Sequence, residues 1–332
     1  IIVKKKILHY TISMIDFMAL QEYQHCMLCP NSCKVDRTKG QLGRCGESDR
    51  VRIAWAGLHR GEEPPVTGKK GSGMIFFCGC PLHCAYCQNH QISCYQGPIG
   101  VEVSIEQLSS LMLALEKFGA TNINLVTGTH YYPSIVVATQ MAREKGLTIP
   151  LVNNSSGYES LEGLRLIDPY IDLYLIDVKT LDCSVAKQFC GLEKYSSCIK
   201  GVMSFLVKRH PKVKLDKKGL HGILVRHLLF PGTIDATLSF LEYFKEELDG
   251  HAWLSLMVQF VPPEKNPGFK DVSQEEYDIL IDKLEELGID DGYVQDLADN
   301  IPWIPDFSQD VPFPPSFADA LPLFLQWKGS RF

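Results

Sequence analysis

Between residues 74 and 288, short apolar runs alternate with amphipathic stretches, and this spacing leaves few folds open. MIFFC (74–78), NINLVT (122–127), TIPLVNN (148–154), IDLYLIDVK (171–179), GILVRHLLF (222–230) and AWLSLMVQF (252–260) read as strands. Helical spacing appears at 104–119, 133–146, near 159–167, over most of 184–209, and at 233–248 and 273–288. Ser104 and Ser273 stand where N-caps belong, Pro133 opens its helix and Gly119 closes one. Six such units imply right-handed crossovers and a parallel sheet. Strands that are apolar throughout suit a sheet covered on both faces. The expected class is α/β, as a doubly wound sheet or a partial barrel, with ligands at the carboxyl ends of the strands in either case.

At roughly 150 residues per domain, 332 residues make two domains, or one large α/β domain with an appendage. Residues 1–20 form an extension with no functional weight, and Met14 or Met18 is a plausible start. Residues 21–73, rich in Cys, Gly, Pro and charge, read as a small loop-rich module. Residues 74–290 form the barrel, and 291–332 a Pro- and aromatic-rich extension whose rings should pack it against the body. Lys plus Arg is 33 against 39 Asp plus Glu, a net charge of −6, which argues against a nucleic-acid partner. No apolar run approaches the roughly 18 residues of a membrane span, and no secretory signal is evident, so a cytoplasmic protein is expected.

The twelve cysteines are clustered: four lie between Cys26 and Cys45, and five between Cys78 and Cys94. Clustering of this kind indicates metal ligation in a reducing compartment. CPLHCAYC places Cys80, Cys84 and Cys87 directly after the first strand. Three thiolates can wrap one inorganic cluster, and on a cubane they leave one iron without a protein ligand. Cys78 and Cys94 flank the triplet as fourth ligands or, in the preferred reading, as buried thiols that pack as small hydrophobes.

This Cys-x3-Cys-x-aromatic-Cys loop, with Tyr86 as the aromatic, resembles the cluster loop of the radical S-adenosylmethionine (SAM) superfamily. HRGEEPPVTGKKGSGMIFFCGCPLHCAYCQNHQIS (59–93) is similar to the branch of pyruvate formate-lyase activating enzyme homologues. So are NLVTGTHYYP (124–133), VNNSSGY (152–158), LYLIDVK (173–179), LVRHLLFPG (224–232) and LMVQFVPP (256–263). The resemblance implies a partial (β/α)6 TIM-like barrel with a small N-terminal Cys-rich metal-binding module. It also implies a [4Fe-4S] cluster on Cys80, Cys84 and Cys87 whose open iron chelates SAM. Reductive cleavage would then give methionine and a 5′-deoxyadenosyl radical that abstracts hydrogen, the work of an oxidoreductase and possible activator of a glycyl-radical enzyme. A flavodoxin or ferredoxin would supply the electron, and a protein or peptide is a candidate substrate.

The same resemblance places Tyr86, Thr127, Gly128, Thr129, His130, Asn154, Ser155, Ser156, Asp177, Lys179, Arg226 and Gln259 around SAM. Thr127–His130 stand where many superfamily members carry Gly-Gly-Glu, so no carboxylate is available there for the SAM amino group. Asp177 and Lys179, two apart on a strand, share a face. Structural roles compete: an ion pair for Asp177 and Lys179, a satisfied core position for His130, a helix cap for Asn154–Ser156.

Cys26-x2-Cys29-x3-Cys33-x11-Cys45 has knuckle-like spacing, with a closed tetrahedral zinc site as the preferred occupant and an iron–sulfur cluster or no metal as alternatives. Glu62 and Glu63 read as a solvated turn, and Cys183, Cys190 and Cys198 as buried packing residues on one helical face. The competing functional class is a non-catalytic metal-binding or electron-carrying module, which has no use for an open iron.

Overall fold

The computed structural model describes residues 14–93, 99–261, 270–297 and 304–330. Cys94 lies outside these residues. The strands are β1 (Val51–His59), β2 (Ser72–Phe77), β3 (Val101–Val103), β4 (Ile123–Val126), β5 (Leu151–Ser155), β6 (Leu173–Asp177), β7 (Lys214–Asp216), β8 (Gly219–Leu228), β9 (Trp253–Met257), β10 (Gly292–Val294) and β11 (Ala318–Ala320). The helices are α1 (Met14–Gln21), α2 (Pro64–Thr67), α3 (His90–Ser93), α4 (Ile105–Phe118), α5 (Tyr132–Glu144), α6 (Leu161–Ile167), α7 (Cys183–Cys190), α8 (Tyr195–Arg209), α9 (Ile234–Glu247), α10 (Gln274–Leu287) and α11 (Pro322–Gly329).

The sheet runs β10-β9-β8-β6-β5-β4-β2-β1-β11, with β3 on β1 and β7 on β8. From β2 to β10 the neighbours along this path are parallel and follow chain order. An order that never reverses lets every right-handed crossover lay its helix on the same face. A doubly wound sheet needs a reversal point, so it is excluded. The packing agrees: Leu108, Val136, Leu164, Ile199, Phe240 and Leu280, from six helices, share one core with Ile123, Tyr174, Ile176 and Val225. Side chains one position along these strands point the other way. There Val152, Leu173, Leu175 and Leu224 pack with Val66 of α2, and Trp55, Met74 and Phe76 pack with Phe307. The architecture is a mixed α/β fold, a partial barrel with its helices outside.

Local signals explain several boundaries. Ser104 and Ser273 each close a capping box, with Gln107 and Glu276 respectively. Gly119 ends α4 in the left-handed region at φ 104°, where a side chain would be strained.

Two expectations about organisation are corrected. The stretch read as a loop-rich module contains β1, a nine-residue strand paired with β2, β3 and β11, so the sheet begins well before residue 74. The region 184–209 is mostly helical as expected, but Gly191 at φ 71° ends α7 and puts Cys198 on a second helix, α8. The three cysteines therefore do not share a helical face: Cys183 is exposed, Cys190 buried and Cys198 half-buried. The C-terminal segment does pack through its rings, with Phe313 5.3 Å from Trp55 and 4.7 Å from His59.

Candidate functional site

The cysteine loop leaves β2 at its carboxyl end. Gly79 turns the chain at φ 80° and His83 at φ 62°, and the Leu82 amide donates to Cys80 Sγ at 3.4 Å. Cys80 and Cys87 are half-buried, and the desolvation of their sulfurs pushes the thiols up to about 12 and about 11; neighbouring thiols add to the rise. Cys84 rises well above the ordinary thiol range, first through its hydrogen bond to Cys190 and then through burial. A thiolate sheltered this way needs a cation beside it. Among the described residues, no three Cys, His, Asp or Glu side chains converge as ligands round one metal ion. A cluster takes its thiolates on separate irons, so it demands no such convergence. Three half-buried soft donors from one loop fit that demand.

Around the loop, Tyr86 packs against Phe230 at 4.8 Å and Phe260 at 5.9 Å, and Phe189 stacks on Phe230 at 4.2 Å. These rings form a dry wall. Lys179 Nζ lies 5.8 Å from the Tyr86 ring centroid and 2.7 Å from Asp177 Oδ2. Burial draws the Lys179 ammonium down, but Asp177 and Cys84 outweigh it and hold the group at about 12. Asp177 Oδ1 is buried with no hydrogen-bond partner. The ion pair expected as the structural alternative thus exists and still leaves one acceptor open.

Thr127 takes the left-handed conformation at φ 57°, with its amide donating to the Asn154 carbonyl at 2.9 Å. At Gly128 a Cβ would lie 2.8 Å from Ile135 Cδ1. Thr129 donates to Glu159 Oε1 at 3.0 Å, away from the concave face. His130 is 2% exposed and bonds the Cys78 carbonyl at 2.7 Å; burial, with Arg37 beside it, lowers its imidazole to about 3. It is a neutral core histidine. Asn154 and Ser155 end β5, where Ser155 Oγ accepts the Gly157 amide and the Ser156 carbonyl accepts the Tyr195 hydroxyl. The cap of α6 is Ser160, so the Asn-Ser-Ser run is not a helix cap.

Arg226 and Gln259 are committed elsewhere. Arg226 donates from Nε to Glu63 at 2.8 Å and from Nη2 to Glu62 and Glu63 at 2.6 Å each. His59 Nδ1 stands 3.4 Å from Glu62. The Glu62 and Glu63 side chains are each 7% exposed, so the solvated turn is a buried ionic cluster on the concave side. Gln259 donates to the Asp296 carbonyl at 3.2 Å, tying β9 to the segment beyond β10.

The sequence reading did not single out Asn124. It is fully buried between Met74 and Val152 across the sheet, and neither amide atom has a partner. A polar residue inside the strand NINLVT was the available signal. A cleft of about 650 Å³ lined by Tyr23, Arg50, Glu102 and Ser134 lies away from the cysteine loop and gathers no comparable set of groups. No described helix is long and apolar enough to cross a membrane.

Comparison with known proteins gives the following. An uncharacterized protein of Methanocaldococcus jannaschii is 25% identical over 281 residues, covering 81% of this chain and 76% of its own. A radical SAM methyltransferase from Sphaerobacter thermophilus has a TM-score of 0.48 at 14% identity, over 69% of this chain and 67% of that one. SuiB of Streptococcus suis, solved with S-adenosylmethionine, has a TM-score of 0.47 at 8% identity, over 65% of this chain. The present chain spans 48% of that protein. These distant structures lend the assignment no weight. The Radical SAM superfamily model matches residues 74–204, the stretch holding the cysteine loop and β2 to β6. Over those residues the chain is similar to the radical SAM superfamily, for which a [4Fe-4S] cluster and SAM are the implied cofactors.

Proposed function

We propose that this chain is a radical SAM oxidoreductase in which Cys80, Cys84 and Cys87 hold a [4Fe-4S] cluster. The observation that carries the reading is the cysteine loop's position, after the first of the sequentially ordered parallel strands and at their carboxyl ends. When bound, cluster and cofactor supply reductive cleavage of SAM to methionine and a 5′-deoxyadenosyl radical.

The chain's own residues prepare the place. The rings of Tyr86, Phe189, Phe230 and Phe260 exclude water. Lys179 sets a fixed positive charge beside Cys84, which favours its thiolate. Asp177 Oδ1 is an unused acceptor for an amino or hydroxyl group of the cofactor. Asn154 and Ser156 offer polar groups at the end of β5. Thr129, His130, Arg226 and Gln259 act at one remove, by holding the loops and strand ends in place. The resembled branch supports a glycyl-radical protein as the hydrogen donor, with a flavodoxin- or ferredoxin-type reductant in the cytoplasm.

The test is anaerobic incubation of the reduced protein with SAM and chromatography of the products. 5′-Deoxyadenosine and methionine are expected, and Cys84→Ala should lose both the visible cluster absorbance and the cleavage. An intact cluster with no cleavage would overturn the enzyme in favour of an electron carrier.

A further inference from the structure

We propose that Cys26, Cys29, Cys33 and Cys45 form a second centre, a zinc ion or an iron–sulfur cluster held by thiolates, and that Arg37 balances its negative charge. The argument starts from Arg37, which is 0% exposed. Its two terminal nitrogens donate to the carbonyls of His130 and Ser48, and its Nε has no partner. The rings of Tyr23 and Tyr131 lie 4.7 and 5.6 Å from the guanidinium carbon. Among the described residues no carboxylate pairs with it. Glu47, whose field reaches Arg37, is bonded to Arg52 at 2.9 Å.

A guanidinium stays charged at any pH a protein survives, and burying it without an anion is costly. Carbonyls and rings offset part of that cost. The remaining neighbours are thiols: Nη1 is 3.9 Å from Cys26 Sγ, and Cys45 is also within the field of Arg37. Neutral thiols would leave the cation unbalanced. Four thiolates on a divalent zinc, or on a cluster of modest positive charge, keep a net negative charge beside it.

The backbone gathers the thiols. Ser32 and Lys34 take positive φ, 44° and 57°, on either side of Cys33. A Cβ placed at Gly43 would be 3.3 Å from Cys33 Sγ and 3.8 Å from Cys45 Sγ. Cys29 lies within the field of the other three. The four do not converge on a point here, but each sulfur turns about a single χ1 with no backbone movement. The segment also has little core, a small cluster of Tyr23, Cys26 and Leu28, so a metal would contribute to its folding. It abuts the cysteine loop, with Asn31 Nδ2 donating to the Pro81 carbonyl at 2.8 Å.

The test does not depend on the activity proposed above. The full chain with Cys80→Ser, Cys84→Ser and Cys87→Ser together is purified anaerobically and its metals are measured. About one zinc or about four irons per chain is expected, falling at least tenfold when Cys33→Ser is added. No stoichiometric metal in the triple variant, with these thiols open to alkylation in the native protein, overturns the proposal. If the triple variant does not fold, the wild type decides: about four irons plus one zinc, or about eight irons, supports the second centre, and four irons alone refutes it. Arg37→Gln should speed metal loss to a chelator about tenfold and Arg37→Lys should restore part of the difference, since the cation is what matters. Unchanged release from Arg37→Gln would remove Arg37 from the proposal.

Discussion

Arg226→Met tests the ionic cluster inside the barrel. The guanidinium makes three hydrogen bonds of 2.6–2.8 Å to Glu62 and Glu63. Its side chain is 14% exposed and each glutamate 7%, so water cannot replace what is removed. Deleting one partner of a buried pair costs about 3–5 kcal/mol, because the other charge stays buried. The Glu62 carboxyl gives a second gauge. Burial pushes it up, yet Arg226 and then His59 outweigh burial and bring it from 4.5 to about 2. That difference is worth about 3 kcal/mol at roughly 1.4 kcal/mol per unit. With m of about 3 kcal/mol/M, the urea midpoint should fall by about 1–1.7 M.

The pH dependence has a definite sign. In the wild type the folded value lies below the unfolded one, so this contribution is full above pH 4.5 and is lost as pH falls toward about 2. In Arg226→Met, burial acts on Glu62 with that guanidinium gone, so its value rises above the unfolded one. The variant should therefore gain stability, relative to wild type, as pH falls from 7 to 5. Adding Glu62→Gln and Glu63→Gln should recover more than half of the loss at pH 7. A loss below about 1 kcal/mol, or an unchanged pH slope, refutes the reasoning.

Two further outcomes are expected. Trp55 is 1% exposed and donates from Nε1 to the Asp310 carbonyl at 3.0 Å, so Trp55→Ala should cost about 3–5 kcal/mol and open residues 304–317 to limited proteolysis; continued protection of that segment would show that other contacts hold it. His227 is held at about 4, mainly by burial, with Nδ1 on the Val178 carbonyl and Nε2 on Thr237. Its contribution to stability is full above the unfolded value of 6.5 and is lost as pH falls from there toward 4, about 3 kcal/mol in all. Its ring resonances should stay unchanged from pH 8 to 5, and a midpoint near 6.5 would contradict its burial.

The parallel part of the sheet was legible because strands such as LYLIDVK and GILVRHLLF are apolar on both faces. The helix starts at Ser104 and Ser273 were legible because capping is local, a side chain reaching a backbone amide three residues on. β1 was missed because VRIAWAGLH sits among Cys, Gly and charged residues, and what makes it a strand is pairing with partners as distant as Ala318–Ala320. Glu62 and Glu63 look like a turn beside two prolines. Only the fold brings Arg226, more than 160 residues away, to face them. Cys190 met Cys84 for the same reason: nothing in either neighbourhood encodes the contact.

The concave face shows why chemistry belongs at one end of this sheet. Toward the amino ends of the strands it is occupied by the chain itself. Val66 packs there against Val152, Leu173, Leu175 and Leu224, while Phe307 and Phe313 cover Phe76 near the carboxyl end of β2. One layer further along, Asp177 and Arg226 are direct neighbours on β6 and β8, and the turn before α2 fixes Arg226 from the same side. Arg226 is therefore committed and cannot swing to a ligand without stranding two buried carboxylates. Lys179 lies two residues beyond Asp177 on the same face, nearer the cysteine loop, and Asp177 keeps one oxygen unbonded. A ligand entering from the carboxyl end thus meets a floor whose lower charges are already neutralised. On the function proposed above, what it would engage is the layer of Lys179, Asp177 and the cysteine loop.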